Sequence, residues 1–181
     1  MRGSPGRSVQ LRWLPPLGFV IPLFAGALLV APMSGQAAPE DRALARWIEE
    51  QTRQDESLAG TRVIVHARQG AVVLSGMVRL YSQKIRYEQI AWHSPGVREV
   101  ENEIRVIPVL PLSDVEIARR IVAMAQEYRR LHGAGVKAEV NEGFVRLAAT
   151  FDDPADVLFL KYRAAEIEGV VGVEIDARFR V

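Results

Sequence analysis

Glu99, Glu101 and Glu103 alternate along the chain, and Glu174 and Asp176 repeat the arrangement further on. In an extended segment such residues line one face, where carboxylates could exchange protons or hold calcium. Here they lie opposite the apolar positions Val100, Ile104 and Val106, with Arg62 and Arg79 as expected neighbours. A solvated, salt-bridged sheet surface is the better reading of such a charge run. The three histidines, His66, His93 and His132, are scattered, and none has a partner at metal-ligand spacing. Cysteine is absent, which excludes disulfides, iron–sulfur clusters, thiolate zinc sites, cysteine nucleophiles and an acylated lipoprotein. Glycines such as Gly70, Gly76 and Gly143 suit turns and close packing, not a phosphate-cradling loop. The reading is a chain with no catalytic residues, no metal and no cofactor.

The more informative residues lie in 154–167. Val157, Leu160, Ala164 and Ile167 recur at helical spacing and should face a core. Leu158, Phe159 and Tyr162 then fall on the outer side, beside Lys161 and Arg163. Apolar and aromatic side chains flanked by cations suit the headgroup–acyl boundary of an anionic bilayer, where rings bury and cations meet phosphates. A weaker version occurs earlier, with Ile85 and Trp92 turned outward near Lys84 and Arg86. A second reading stands beside the first: these side chains fill a contact with another part of the protein or with a second copy.

An internal repeat supplies the elements that position these residues. Displaced by 73 positions, Val63, Val65, Gly70, Val72, Leu74 and Gly96 fall on Val136, Ala138, Gly143, Val145, Leu147 and Gly169. Each copy opens on a helical pattern, 41–56 or 114–131. The first has Leu44, Trp47, Ile48 and Gln51 at helical spacing, and the second has Ser113 and Glu116 as a capping box. Alternating apolar residues then give a hairpin, turning at Gln69-Gly70 and at Asn141-Glu142-Gly143. Further helices at 82–93 and 155–167 end at Gly96 and Gly169, before final strands at 97–106 and 170–180. The expected fold class is α+β: two tandem αββαβ units, each a three-stranded mixed sheet with two helices on one face. They occupy 41–106 and 113–181, joined by 107–112, which Pro108 and Pro111 keep extended.

The chain carries 23 Lys or Arg against 22 Asp or Glu, without the clustered basic excess of a nucleic-acid binder. Arg2, Arg7 and Arg12 precede an apolar stretch from Leu14 to Val30 and a small-residue run ending at Ala38. Basic start, apolar middle and small-residue end is the order of a secretory signal. Cleavage after Ala37 puts Gly35 and Ala37 at the two positions that must be small. The competing reading is a retained anchor, though Pro15, Pro16 and Pro22 break the run, whose 17 residues sit at the lower limit for spanning a bilayer. The expectation is a signal peptide over 1–37 and a soluble periplasmic protein.

The run Val63, Val65, Gly70, Val72, Leu74, Gly76, Val78, then Gly96, Val97, Val100, Asn102, Ile104 and Val106, resembles the BON domain family. The second copy follows it less closely, with Ala149 for the second glycine and Ile175 in the place of Asn102. Two copies behind a signal peptide resemble the tandem dual-BON periplasmic proteins of the OsmY type. That resemblance implies a non-catalytic envelope module that binds anionic phospholipid or a membrane surface through the second-domain helix and supports envelope integrity or tolerance of osmotic stress. The alternative is a periplasmic protein–protein adaptor or chaperone-like factor in envelope assembly.

Overall fold

The protein is described by a computed structural model covering residues 38–110 and 112–180. The segment 1–37, assigned above to export, lies outside them. Alternation of Val63, Val65 and Ala67 forms β1 (Arg62–Arg68), and that of Val72, Leu74 and Val78 forms β2 (Ala71–Val78). The strands are antiparallel with Val65 opposite Leu74 and Arg68 opposite Ala71. Only Gln69 and Gly70 remain to make the turn, and both have positive φ, 52° and 83°. That is the primed two-residue turn whose twist matches the strands. The second unit repeats it between β4 (Lys137–Asn141) and β5 (Phe144–Phe151), with Glu142 at 50° and Gly143 at 78°.

Each turn is clamped by an aspartate from the opening helix of its unit. In α1 (Pro39–Gln54), Asp41 Oδ1 accepts from Gln69 N at 2.7 Å. In α3 (Asp114–Glu127), the Asp114 carboxylate accepts from Glu142 N and Gly143 N, both at 2.9 Å. After each hairpin a helix, α2 (Tyr81–Trp92) or α4 (Pro154–Ala165), carries the chain back to a strand parallel to the middle one. These strands are β3 (Glu99–Val106) and β6 (Gly172–Phe179), giving the orders β1-β2-β3 and β4-β5-β6.

Both helices of a unit cover the same sheet face. Ile48 of α1 and Ile90 and Ala91 of α2 share a core with Val65, Val72, Leu74 and Ile104. Ile117 and Ile121 of α3 and Leu160 and Ala164 of α4 do the same over Val145, Leu147 and Val173. The fold is α+β, two αββαβ units with mixed three-stranded sheets.

Local details differ from the sequence reading. The helix expected over 114–131 ends at Glu127, and a 3-10 turn at Arg129–Leu131 follows; Glu56–Leu58 is its counterpart in the first unit. These turns drive Leu131 and Leu58 into the cores, which a three-residue element has no periodicity to announce. Trp47, placed on the inward stripe by spacing, is 39% exposed. Only half of the capping box forms: Ser113 Oγ accepts from Glu116 N, while the Glu116 carboxylate turns to Arg119 and Arg120. The row Glu99, Glu101 and Glu103 is exposed, but its neighbours on β2 are Ala71, Val73 and Ser75. The parallel crossover puts β3 against β2, so Arg62 on β1 lies a strand further away; none of the three pairs with Arg62 or Arg79 among the described residues.

The two units touch through α2 and α4, with Tyr81 and Ile85 packed against the core of the second. The connection is held as well: Glu168 Oε1 accepts from Val109 N at 2.6 Å and Leu110 N at 3.2 Å.

Candidate functional site

The helix α4 is set by Asp153, whose side chain accepts from Ala155 N at 2.8 Å, and by Pro154 in the first turn. Its inward stripe is as spacing predicts: Leu160 and Ala164 are fully buried, with Val157 and Ile167 packed around them. The outer side is where sequence and structure part.

Leu158, Phe159 and Tyr162 do not form one open cluster. Leu158 is 71% exposed. Phe159 is half-buried, meeting the Tyr128 ring edge-on at 5.0 Å between centroids and carrying the Arg130 guanidinium 4.4 Å from its own centroid. Arg130 is fixed there by Asp156, with Nε to Oδ1 at 2.6 Å. Phe159 is therefore held by the chain leaving α3, as the expectation of a free ring did not foresee. Arg163 is likewise engaged. Its guanidinium lies 4.8 Å from the Tyr128 ring centroid, bonds the Tyr128 hydroxyl and pairs with Glu166 at 2.6 Å.

Tyr162 is half-buried, on the side of α4 near the charges of Arg86 and Asp55 in the first unit. Burial pushes its hydroxyl pKa up; Arg86 opposes this, and Glu166 and Asp55 add to it. Ile85, expected outward, is covered by the second unit. Beside it, Tyr81 also has a raised pKa, from burial first and then from Glu88, against a hydrogen bond from the Val173 backbone. Trp92 remains 50% exposed at the end of α2. Lys161 is half-buried and forms no ion pair among the described residues.

Of the residues singled out by sequence, Leu158 and Lys161 thus share an open row of α4 at i, i+3. Ile85 belongs to the contact between units, Tyr162 lies near the first unit's Arg86 and Asp55, and Phe159 and Arg163 belong to the second unit's own packing. Sequence reasoning missed the exposed pair Arg129 and Arg130, which bring cations to the same side as Phe159. The adjacent arginines were the available signal, hidden by an assumed continuous helix.

Chemistry elsewhere is sparse. A recess of about 490 Å³, lined by Val122, Ala125, Leu131 and Gly133 among others, holds one histidine, His132. Its Nε2 is 2.8 Å from the Gln126 carbonyl oxygen. No group of three or more His, Asp or Glu side chains among the described residues is placed to hold a metal ion.

Two αββαβ units with positive-φ glycines in their hairpin turns define the architecture, and comparison matches one of them to a known domain. Residues 40–108 match the BON domain. No curated protein sequence matches the chain. Two solved structures of CdsD, a structural protein of the type III secretion system of Chlamydia trachomatis, are similar at low level. One, at 13% identity and a TM-score of 0.33, covers 77% of this chain, which in turn spans 63% of that structure's length. The other, the C-terminal domain of CdsD, has the same identity and TM-score and covers 78% of this chain and 67% of its own.

Proposed function

We propose that the protein is a tandem dual-BON protein of the OsmY type, exported to the periplasm by cleavage after Ala37, that acts as a non-catalytic envelope module supporting envelope integrity under stress. Its second unit touches anionic phospholipid through the outer row of α4. The observation that carries this reading is Leu158, an apolar side chain 71% exposed, with Lys161 on its own row and Arg129 and Arg130 on the neighbouring turn.

The magnitude suits a peripheral contact. Burying one leucine contributes about 2 kcal/mol, and Lys161 and Arg129 near an anionic surface about 1 kcal/mol each, the Arg130 charge being taken by Asp156. Together these give a dissociation constant on the order of 1 mM. Such a module samples the membrane surface and leaves it. Vesicle co-sedimentation of the exported protein tests the reading: retention on phosphatidylglycerol-containing vesicles that falls with salt, and none on purely zwitterionic ones. Equal indifference to both refutes it. Mass spectrometry of the exported protein reads the terminus, and an intact Met1 in a membrane pellet removes the cleavage.

A second reading, a protein adaptor in envelope assembly, is favoured by one observation. Ile85 occupies in the first unit the position that Leu158 occupies in the second, and it is used for contact with protein.

A further inference from the structure

The outer face of the first sheet, away from both helices, is divided by charge. On β1 it presents Arg62, His66 and Arg68, all exposed. On β3 it presents Glu99, Glu101 and Glu103, with Arg105 at the far end, all exposed. Between them β2 offers Val73 and Met77 on either side of Ser75, with Ile64 beside them on β1; Met77 is 53% and Ile64 58% exposed. An apolar column thus runs between a basic edge and an acidic edge. Strands of a sheet lie about 4.8 Å apart, so the two edges are about 10 Å from one another. No side chain of either edge has an ion-pair partner among the described residues.

The second sheet solves the same problem internally. There Glu174 of β6 pairs with Arg146 of β5 at 3.5 Å, the two being directly opposite in register. The corresponding pair in the first sheet is Glu101 and Val73. Valine in place of arginine leaves Glu101 without a cation directly opposite it and puts an apolar side chain at the centre.

We infer that this face is an interface with a second copy of the chain, formed about a two-fold axis parallel to the strands. Face-to-face sheets pack about 10 Å apart with strand directions within about 30°. A two-fold along the strands lays β1 of each copy over β3 of the other and β2 over β2. The contact is isologous, so each pairing occurs twice. The register rows fix the partners. Arg68, Ala71 and Glu99 form one row, and His66, Val73 and Glu101 the next. Arg68 of one copy then meets Glu99 of the other, and His66 meets Glu101, while Val73 meets itself at the centre. A two-fold across the strands would set basic edge on basic edge and is disfavoured. Two rows oppose the assembly: Arg62, Met77 and Arg105 lie together and bring Arg62 over Arg105, and Ile64, Ser75 and Glu103 bring Glu103 over Ile64 with no cation. The dimer is therefore held by two acid–base rows and the apolar contacts of Val73 and Met77 against these two rows, and it is weak and salt-sensitive.

Sedimentation velocity of the exported protein, from micromolar to millimolar concentration, tests this. The expected result is a reversible monomer–dimer equilibrium that weakens as salt rises. Arg68→Glu alone or Glu99→Arg alone should weaken it about tenfold, because each reversal acts at two symmetry-related contacts. An equimolar mixture of those two single variants should dimerise again, since every Arg68-to-Glu99 contact between unlike copies is then acid against base. Arg105→Glu should tighten the dimer by turning the repulsive row attractive. All these residues are exposed, and an unchanged melting temperature for each variant confirms that the fold is intact. A protein that stays monomeric at all concentrations overturns the inference. So does a dimer indifferent to the reversals, or a mixture of the two variants that fails to associate. Vesicle binding depends on Leu158 and Lys161, outside this face, so the two proposals fail separately.

Discussion

Tyr128 and Phe159 meet edge to face, 5.0 Å between ring centroids, at the two positions where the first unit holds Asp55 and Arg86 in an ion pair of 2.6 Å. Both pairs tie the residue after the opening helix to the middle of the second helix. The same backbone relationship is kept by an aromatic contact in one copy and by charge in the other. A neighbouring pair has changed in the opposite sense. Gln83 donates to the Ser57 carbonyl oxygen at 3.0 Å in the first unit, and Arg130 pairs with Asp156 at the equivalent place in the second. Duplicated units have thus exchanged chemistry at fixed geometry, which bears directly on which residues remain free for partners.

Phe159→Ala should destabilise the second unit by about 2–3 kcal/mol, less than a fully buried ring because Phe159 is half-buried. Leu160→Ala, at a fully buried site, should cost about 2–5 kcal/mol. Denaturant unfolding gives both values. A double-mutant cycle with Tyr128→Ala should leave a coupling of about 0.5–1.5 kcal/mol for the edge-to-face contact. A coupling of zero would show that the two rings are merely adjacent.

The first unit's counterpart should respond to pH. Burial resists ionisation of Asp55, but hydrogen bonds from Ser57 and the Arg86 guanidinium outweigh it and hold the carboxyl below its ordinary 3.8. A depressed folded-state pKa stabilises the fold above the unfolded value and loses that contribution as pH falls through the folded one. The melting temperature should therefore drop as pH is lowered below about 3.8. Arg86→Met should reduce the drop and lower stability at neutral pH. Thermal melts between pH 7 and pH 2 read both effects, and identical acid limbs for the two proteins would refute the assignment.

Much of this architecture was legible because it repeats. Alternation, paired turn glycines and a fixed offset of 73 define strands, hairpins and return helices in both copies. The flank of α4 was not legible. Helical period tells which side chains face the helix's own sheet, as Leu160 and Ala164 do, but not what covers the sides. Phe159 is covered by a 3-10 turn too short to leave a pattern, and Ile85 by a neighbouring unit whose docking leaves no periodic trace. The partners of Glu101 were equally hidden, since strand order depends on the crossover and not on any residue of β3.

The aspartate clamps give a third expectation. Asp114→Ala removes both acceptors of the Glu142 and Gly143 amides and should cost about 1–3 kcal/mol. Gly143→Ala should cost as much by another route. A Cβ there would stand 2.4 Å from the Gly169 carbonyl oxygen, on a backbone at φ +78°. Amide exchange at the β4–β5 turn should rise in both variants, and protection unchanged from the parent would remove the clamp from the account.

The last expectation separates surface from structure on α4. Leu158→Ser changes a side chain that is 71% exposed, so its effect on unfolding should stay within about 0.5 kcal/mol. If lipid is the ligand, the same change forfeits roughly 1–2 kcal/mol of interfacial burial, about five- to thirtyfold in vesicle affinity. Lys161→Gln should cost about 1 kcal/mol in binding and flatten the salt dependence, again with the fold intact. Ile85→Ser is the control at the equivalent position. It removes contact between the units and should lower stability while leaving the lipid-facing row untouched. Vesicle affinity lost with Leu158→Ser but kept with Ile85→Ser identifies α4 as the membrane-facing edge. Affinity that follows stability instead, falling with Ile85→Ser and not with Leu158→Ser, means that the exposed row of α4 takes no part in binding.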